Sequence, residues 1–250
     1  MSWSLFLLLI GLTAIILFFQ WEVFRHLRAY HQRLEREQTQ ASQELKLYQV
    51  LNIQRPLPPM RGWAISPDIG WIYVSEIFKR QPKIILECGS GVSTLLAAYS
   101  LQRLGGGKII ALDHDKTFAD TTARRIQEHG LADYAQVIFA PLITHTHEDL
   151  TFLWYDLSRV EIPQIDFLLI DGPPGHFLPL SRYGALPLLQ GSLSSQSAIL
   201  LDDTNRVDEQ ILISRWLNEF PLEQTILKAE KGAVLLTFKP LSQPETEHEK

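Results

Sequence analysis

Four short runs of the chain are almost wholly apolar, and each stops at an acid. Ile84-Ile85-Leu86 precedes Glu87, Ile109-Ile110-Ala111-Leu112 precedes Asp113, Phe167-Leu168-Leu169-Ile170 precedes Asp171, and Ala198-Ile199-Leu200-Leu201 precedes Asp202. Runs of this length without alternating polar residues are strands covered on both faces, the condition of a parallel sheet flanked by helices. Strands are expected at Lys83–Glu87, Lys108–Asp113, Gln136–Leu142, Ile165–Asp171 and Ala198–Asp203. Between and after them, Ser93–Leu104, Lys116–His129, Ser181–Leu193 (interrupted near Pro187) and Val207–Phe220 fit helices. The alternation predicts an α/β fold with a mostly parallel sheet. Thr225–Lys228 and Val234–Phe238 flank Lys231-Gly232 and read as an antiparallel hairpin, which brings the strands to seven.

A different constraint rules the N-terminus. Met1 to Trp21 contains no charged side chain and is dominated by Leu5 to Ile10 and Ile15 to Phe19. A helix of ~20 such residues spans the ~30 Å hydrocarbon layer of a bilayer. No basic segment precedes the run and no small-x-small site follows it, so residues 1–21 are expected to be a retained single-pass anchor rather than a cleaved leader. Trp3 and Trp21 bracket the span, and Arg25, Arg28, Arg33 and Arg36 follow it, which puts the rest of the chain on the cytoplasmic side of the cell membrane. Residues 22–55 read as a helical stalk and linker. Over 22–52, Phe24, Leu27, His31, Leu34, Gln38, Ala41, Leu45 and Tyr48 recur three and four apart, a stripe that fits a homodimeric coiled coil or a solitary amphipathic helix. Arg55-Pro56-Leu57-Pro58-Pro59 ends any helix. That leaves one domain over 56–240 and a polar tail over 241–250 expected to be disordered. The formal net charge of −5 offers no general basic field for nucleic acid, and the single cysteine, Cys88, makes no intrachain disulfide and asks for no oxidising compartment.

Glu87-Cys88-Gly89-Ser90-Gly91-Val92-Ser93-Thr94 follows the first strand and opens the first helix. Glycines there let backbone approach a ligand closely, at a helix N-terminus with free amide donors. Asp113, at the end of the next strand, stands where an acid bonds a ribose diol. A dinucleotide fingerprint wants Gly or Ala at the position of Thr94, so the ligand expected is a riboside without a pyrophosphate.

This run resembles motif I of class I S-adenosylmethionine-dependent methyltransferases, and the likeness extends over about residues 60–240. The subgroup it is most similar to carries an acidic-x-Gly-Ser-Gly-x-Ser-Thr turn and an Asp-Gly-Pro-Pro-Gly after the fourth strand, present here as Glu87–Thr94 and Asp171–Gly175. The resemblance implies a Rossmann-like sheet with S-adenosylmethionine as cofactor. It implies that Glu87 orients the ligand ammonium, that Gly89, Ser90 and Gly91 contact it through backbone, that Ser93 and Thr94 complete the turn, and that Asp113 holds the ribose. Ser93 replaces the third glycine usual in the motif.

In an open α/β sheet the ligand lies beyond the carboxyl ends of the strands, which collects Glu87, Asp113, Asp171, Asp202 and Asp203 on one rim. Methyl transfer needs an in-line acceptor, and a base where that acceptor is weakly acidic. Asp171 is the first candidate base and His176 the second, against the plainer readings of a turn aspartate and an exposed loop histidine. Asp171 with Asp203 also resembles the metal-binding carboxylates of the catechol O-methyltransferase-like group, through which Mg²⁺ or Ca²⁺ could polarise a hydroxyl. The family pattern has Asn after its second Asp, whereas Thr204 follows Asp203 here, so a metal is not favoured. His145-Thr146-His147-Glu148-Asp149 resembles the start of a zinc motif, but Leu150 replaces its next histidine, and a solvated loop is expected. Phe152-Leu153-Trp154-Tyr155 reads equally as a pocket roof or as plain core. Cys88 reads as a small buried spacer. Arg182 and Arg206 could pair with an anionic substrate or with the rim aspartates.

The expected function is methyl transfer from S-adenosylmethionine to a small-molecule or lipid-linked acceptor at the cytoplasmic membrane face. Its rivals are a membrane-tethered binding or scaffold protein without turnover and a Rossmann-type NAD oxidoreductase.

Overall fold

The structure, a computed structural model, describes residues 3–240. The tail expected over 241–250 lies outside the described residues. The chain divides into two compact units, Met1–Ser42 and Gln43–Lys250. Helix α1 (Trp3–Leu51) makes up the first and gives its last turns to the second. Among the described residues it is the one helix long and apolar enough to cross a membrane.

The second unit begins ahead of the proline run, because Leu47 and Leu51 are buried in its core. Each such side chain contributes roughly 1.5–3 kcal/mol by leaving water. The sequence reading had no element between that run and the first strand, but the structure has helix α2 (Pro67–Arg80) there. Pro67 stands in its first turn, where the missing N–H costs nothing, and Asp68 in the same turn suits the positive helix end. Ile69, Tyr73, Val74 and Ile77 form its buried stripe. Gly70 lets its backbone sit close to the neighbouring elements: a Cβ there would come within 2.8 Å of Met60 and 3.2 Å of Leu47.

The sheet then builds as β1 (Ile84–Cys88), α3 (Val92–Leu104), β2 (Lys108–Asp113), α4 (Lys116–Glu128) and β3 (Ala135–Phe139). The fourth strand of the main sheet is β6 (Ile165–Ile170), followed by β7 (Leu193–Asp202), α6 (Val207–Glu219), β8 (Leu222–Leu227) and β9 (Ala233–Phe238). Its seven strands run in the order β3-β2-β1-β6-β7-β9-β8. Pairing is parallel from β3 to β7, and antiparallel for β7 with β9 and for β9 with β8. This is the mostly parallel, Rossmann-like sheet with a terminal hairpin that the sequence predicts. Alternate residues of each strand face opposite layers. Ile85, Ile109, Phe167 and Leu200 join Tyr73, Leu96 and Leu51 on one side. Leu86, Leu112, Leu168 and Leu201 join Trp154, Tyr183 and Trp216 on the other.

Two further regions differ from expectation. The segment expected as a loop is a hairpin of β4 (Leu142–His147) and β5 (Leu150–Tyr155), paired from Leu142↔Tyr155 to His147↔Leu150. Its turn has no glycine, and Glu148 itself takes φ 50°. Phe152, Trp154 and Tyr155 are fully buried in the second core layer, so this stretch is core. The helix expected over Ser181–Leu193 is instead a 3-10 turn (Ser181–Gly184), the short α5 (Ala185–Leu189) and a second 3-10 turn (Gln190–Ser192), and Leu193 already begins β7. Pro187 lacks the donor a continuous helix needs.

Candidate functional site

β1 ends at Cys88, and Gly89 turns the chain at φ +100°, a conformation that disfavours any side chain. Its N–H donates to the Leu112 carbonyl at 2.9 Å, tying the turn to the end of β2. A Cβ at Gly89 would lie 3.6 Å from the Gly172 nitrogen, so the two glycine-bearing turns, after β1 and after β6, run side by side. On the outer side, a Cβ at Gly91 would meet nothing within 4 Å. The space beyond the turn is open.

Hydroxyls organise the carboxylates beneath it. Glu87 is fully buried, and its two oxygens accept from Ser93 Oγ and, at 2.7 Å, from Thr94 Oγ1. Thr94 Oγ1 in turn accepts from the Gly91 N–H at 3.0 Å. A third glycine in place of Ser93 would leave one Glu87 oxygen without its donor, which gives this departure from the motif a structural reason. Burial outweighs these hydrogen bonds and pushes the Glu87 carboxyl up to about 8. Asp113, 4% exposed, accepts from Ser90 Oγ at 2.5 Å and from the Asp115 N–H at 3.0 Å. Each of its oxygens keeps a lone pair for a further donor. Cys88 is buried, and burial with the nearby Glu87 raises its thiol far from reactivity.

The second cluster lies at the ends of β6 and β7. Asp171, Asp202 and Asp203 place one oxygen each within 4.8 Å of one another. Asp202, not Asp203, ends the strand, and Asp203 follows in the left-handed region at φ 62°. The structure pairs Arg182 with the rim: Nη2 lies 2.9 Å from Asp203 Oδ2 and 3.6 Å from Asp171 Oδ1, and Nη1 lies 3.4 Å from Glu209 Oε1. Arg206 sits 3.0 Å and Lys231 3.9 Å from Asp203 carboxylate oxygens. Burial, then the neighbouring Asp202, holds Asp171 well above the usual carboxylate range despite Arg182. Burial and Asp203 push Asp202 up to about 6. A divalent cation fits this donor set badly, since three cationic side chains already crowd Asp203.

Beside the cluster is a cavity of about 440 Å³ whose lining includes Trp63, His176, Arg182, Arg206, Glu209 and Leu212. His176 packs edge to face with Trp63 at 5.8 Å, and Phe177 lies against both His176 and His114, the residue after Asp113. Phe177 thus links the end of β2 to the cavity. His145 and His147 stand apart on β4. Sequence reasoning missed Trp63 and Glu209. It treated Lys231 only as a turn residue.

Residues 86–204 match a family model described as a methyltransferase domain. Among curated proteins, none matches the chain in sequence. Many solved structures resemble it. An O-methyltransferase from Bacillus cereus in complex with SAH is 16% identical with a TM-score of 0.56, the match covering 79% of this chain and 91% of that one. TomG, an O-methyltransferase from Streptomyces achromogenes involved in tomaymycin synthesis and solved with SAM, is 14% identical with a TM-score of 0.55, covering 80% and 89%. The SAH-bound methyltransferase PaMTH1 from Podospora anserina is 17% identical with a TM-score of 0.55, covering 79% and 88%. At such identities the likeness establishes the fold.

Proposed function

We propose that this chain transfers the methyl group of S-adenosylmethionine to an oxygen or nitrogen of a small-molecule or lipid-linked acceptor. The observation that carries the reading is the glycine turn, open at Gly91 and hydrogen-bonded through Ser90 to Asp113 at the end of β2, within the stretch matched by the methyltransferase family model. The SAM and SAH in the similar structures support the cofactor.

Gly89, Ser90 and Gly91 offer backbone to the ligand, and Asp113 receives the ribose hydroxyls on its remaining lone pairs. Glu87, held by Ser93 and Thr94, sets a buried carboxyl beneath the ligand, and the ligand's positive charges favour its ionised form against the burial that pushes it up to about 8. When bound, S-adenosylmethionine supplies an electrophilic methyl on a sulfonium that becomes a neutral thioether. The chain's part is to hold the acceptor in line and dry, which is where most of the barrier reduction in such a displacement arises. The cavity lined by Trp63, His176 and Leu212 receives the acceptor. His176 takes its proton where the acceptor is weakly acidic. Asp171, tied to Arg182, acts as base only after releasing the proton that its surroundings favour.

The apolar start of α1 supports a single-pass anchor over residues 1–21. Arg25 and Arg28 fold over Trp21 and Phe24 at 5.2 and 4.2 Å, as interfacial cations and aromatics do. By the positive-inside rule the domain is cytoplasmic, and residues 22–52 are the segment through which two copies would pair.

The test is thermal unfolding of the full chain in detergent with S-adenosylmethionine, SAH or NAD. At a hundredfold its Kd a ligand adds about 2.7 kcal/mol. Stabilisation by the first two and not by NAD is expected. NAD alone stabilising the chain would transfer the reading to an oxidoreductase, and tight S-adenosylmethionine binding without methyl release to any acceptor would leave a scaffold.

A further inference from the structure

Arg182 is 3% exposed. It stands on the 3-10 turn Ser181–Gly184 and reaches beneath the strand ends. Besides its carboxylate partners, it donates to the main-chain carbonyls of Asp171, just after β6, and, at 3.0 Å, of Asp202, the last residue of β7. A guanidinium this deep is costly unless its donors and charge are met. Here the charge and both terminal nitrogens are met, Nε alone having no hydrogen-bond partner among the described residues, and against burial the carboxylates hold the group in its charged form.

The oxygens of Asp171, Asp202 and Asp203 are spaced as ligands of one cation: separations within 4.8 Å suit donors ~2.0–2.6 Å from a common centre. The charge around them does not suit one. Arg182 and Arg206 lie 2.9 and 3.0 Å from the same Asp203 oxygen, and Lys231 lies 3.9 Å from the other. A dication seated on the triad would face all three at a range where like charges repel strongly in a buried site. Asp202 Oδ2 and Glu209 Oε2 are buried with no hydrogen-bond partner among the described residues, so the cluster keeps unused acceptor capacity beside the cation it holds.

We infer that Arg182 is the resident counter-ion of this triad, taking by charge the place a divalent metal would occupy, and that its guanidinium is what closes an otherwise metal-shaped site. Removing the guanidinium leaves a carboxylate cluster with room, geometry and charge for Mn²⁺, Mg²⁺ or Ca²⁺. Arg182 is thus a positioning residue. It fixes the ends of β6 and β7 relative to each other without reacting.

The test is a Mn²⁺ titration of the full chain in detergent, read by the paramagnetic resonance of free Mn²⁺ and by the melting temperature in chelator and in Mn²⁺. The wild-type chain, D203N and R182K are expected to behave alike, with no captured ion that depends on Asp203 and no melting shift. R182A is expected to capture about one equivalent and to melt several degrees higher in Mn²⁺, and R182A combined with D202N to lose that capture. If R182A is unfolded in chelator, recovery of its circular dichroism on adding Mn²⁺ supports the inference and failure to recover overturns it. A wild-type chain that binds one Mn²⁺, lost in D203N, overturns it directly, as does a folded R182A that binds none. None of these outcomes depends on methyl transfer.

Discussion

The ends of β1 and β2 and the ends of β6 and β7 both gather buried carboxylates, but they satisfy them with different chemistry. Glu87 and Asp113 receive neutral hydroxyls from Ser90, Ser93 and Thr94. Asp171, Asp203 and Glu209 receive the guanidinium of Arg182, with Arg206 and Lys231 close by. A hydroxyl brings no charge to the carboxyl it steadies, so in the first region burial rather than a counter-ion decides the proton of Glu87, and its outer side is open at Gly91. A guanidinium cancels the field it touches. One half of the rim is thus steadied by neutral hydroxyls and the other by a cation.

The largest way to break this contrast is Arg182→Ala, which strands buried carboxylates. In metal-free buffer it should cost about 3–5 kcal/mol, on the order of 10 °C in melting temperature by calorimetry. Asp113→Ala tests the other half: it should remove most of the ~2.7 kcal/mol stabilisation by saturating S-adenosylmethionine and leave the ligand-free melting point nearly unchanged. An undiminished shift would refute the ribose role. Gly89→Ala forces a side chain into φ +100° and should cost about 1–3 kcal/mol in denaturant unfolding, with weaker ligand binding as the turn relaxes.

The smallest effects sharpen the comparison by pH. Glu87 and Asp202 both have raised folded values, so the folded chain binds more protons than the unfolded one, and stability falls as pH rises through each window. For Glu87 the window runs from 4.5 to about 8. For Asp202 it runs from 3.8 to about 6. Glu87→Gln should flatten the decline between about pH 6 and 8, and Asp202→Asn the part below 6. Each is a slope below the limit of about 1.4 kcal/mol per pH unit for one group, read from unfolding curves across pH. A profile unmoved by Glu87→Gln would show that its carboxyl titrates normally.

The legible part of the molecule is the part where burial on both faces leaves its mark on every residue. β1, β2 and β6 are visible as apolar runs, and the acids that end them are visible as the rim. α2 announced itself only by Pro67, Asp68 and the spacing of Ile69, Tyr73 and Ile77, signals easily lost beside the proline run before it. The β4–β5 turn carried no signal, since Glu148 in the left-handed region is a choice made by Phe152, Trp154 and Tyr155 seeking the core. Arg182 was visible as a residue but not as a partner. Its direction comes from a 3-10 turn packed against that same hairpin, with Phe152 against Tyr183 at 5.4 Å. Glu209 opens α6 in the ordinary place for an acid, and only the approach of Arg182 gives it a second role.

The order of the sheet also bears on how the chain comes to be made. β9 lies between β7 and β8, bonded to both, although it follows both in the chain. During synthesis β7 must therefore wait with one edge unpaired, and a bare apolar edge is a template for joining another chain. A ribosome that stalls between Phe220 and Ala233 would release a nearly complete domain with a sticky flank, a product for quality control to clear rather than a weakened version of the protein.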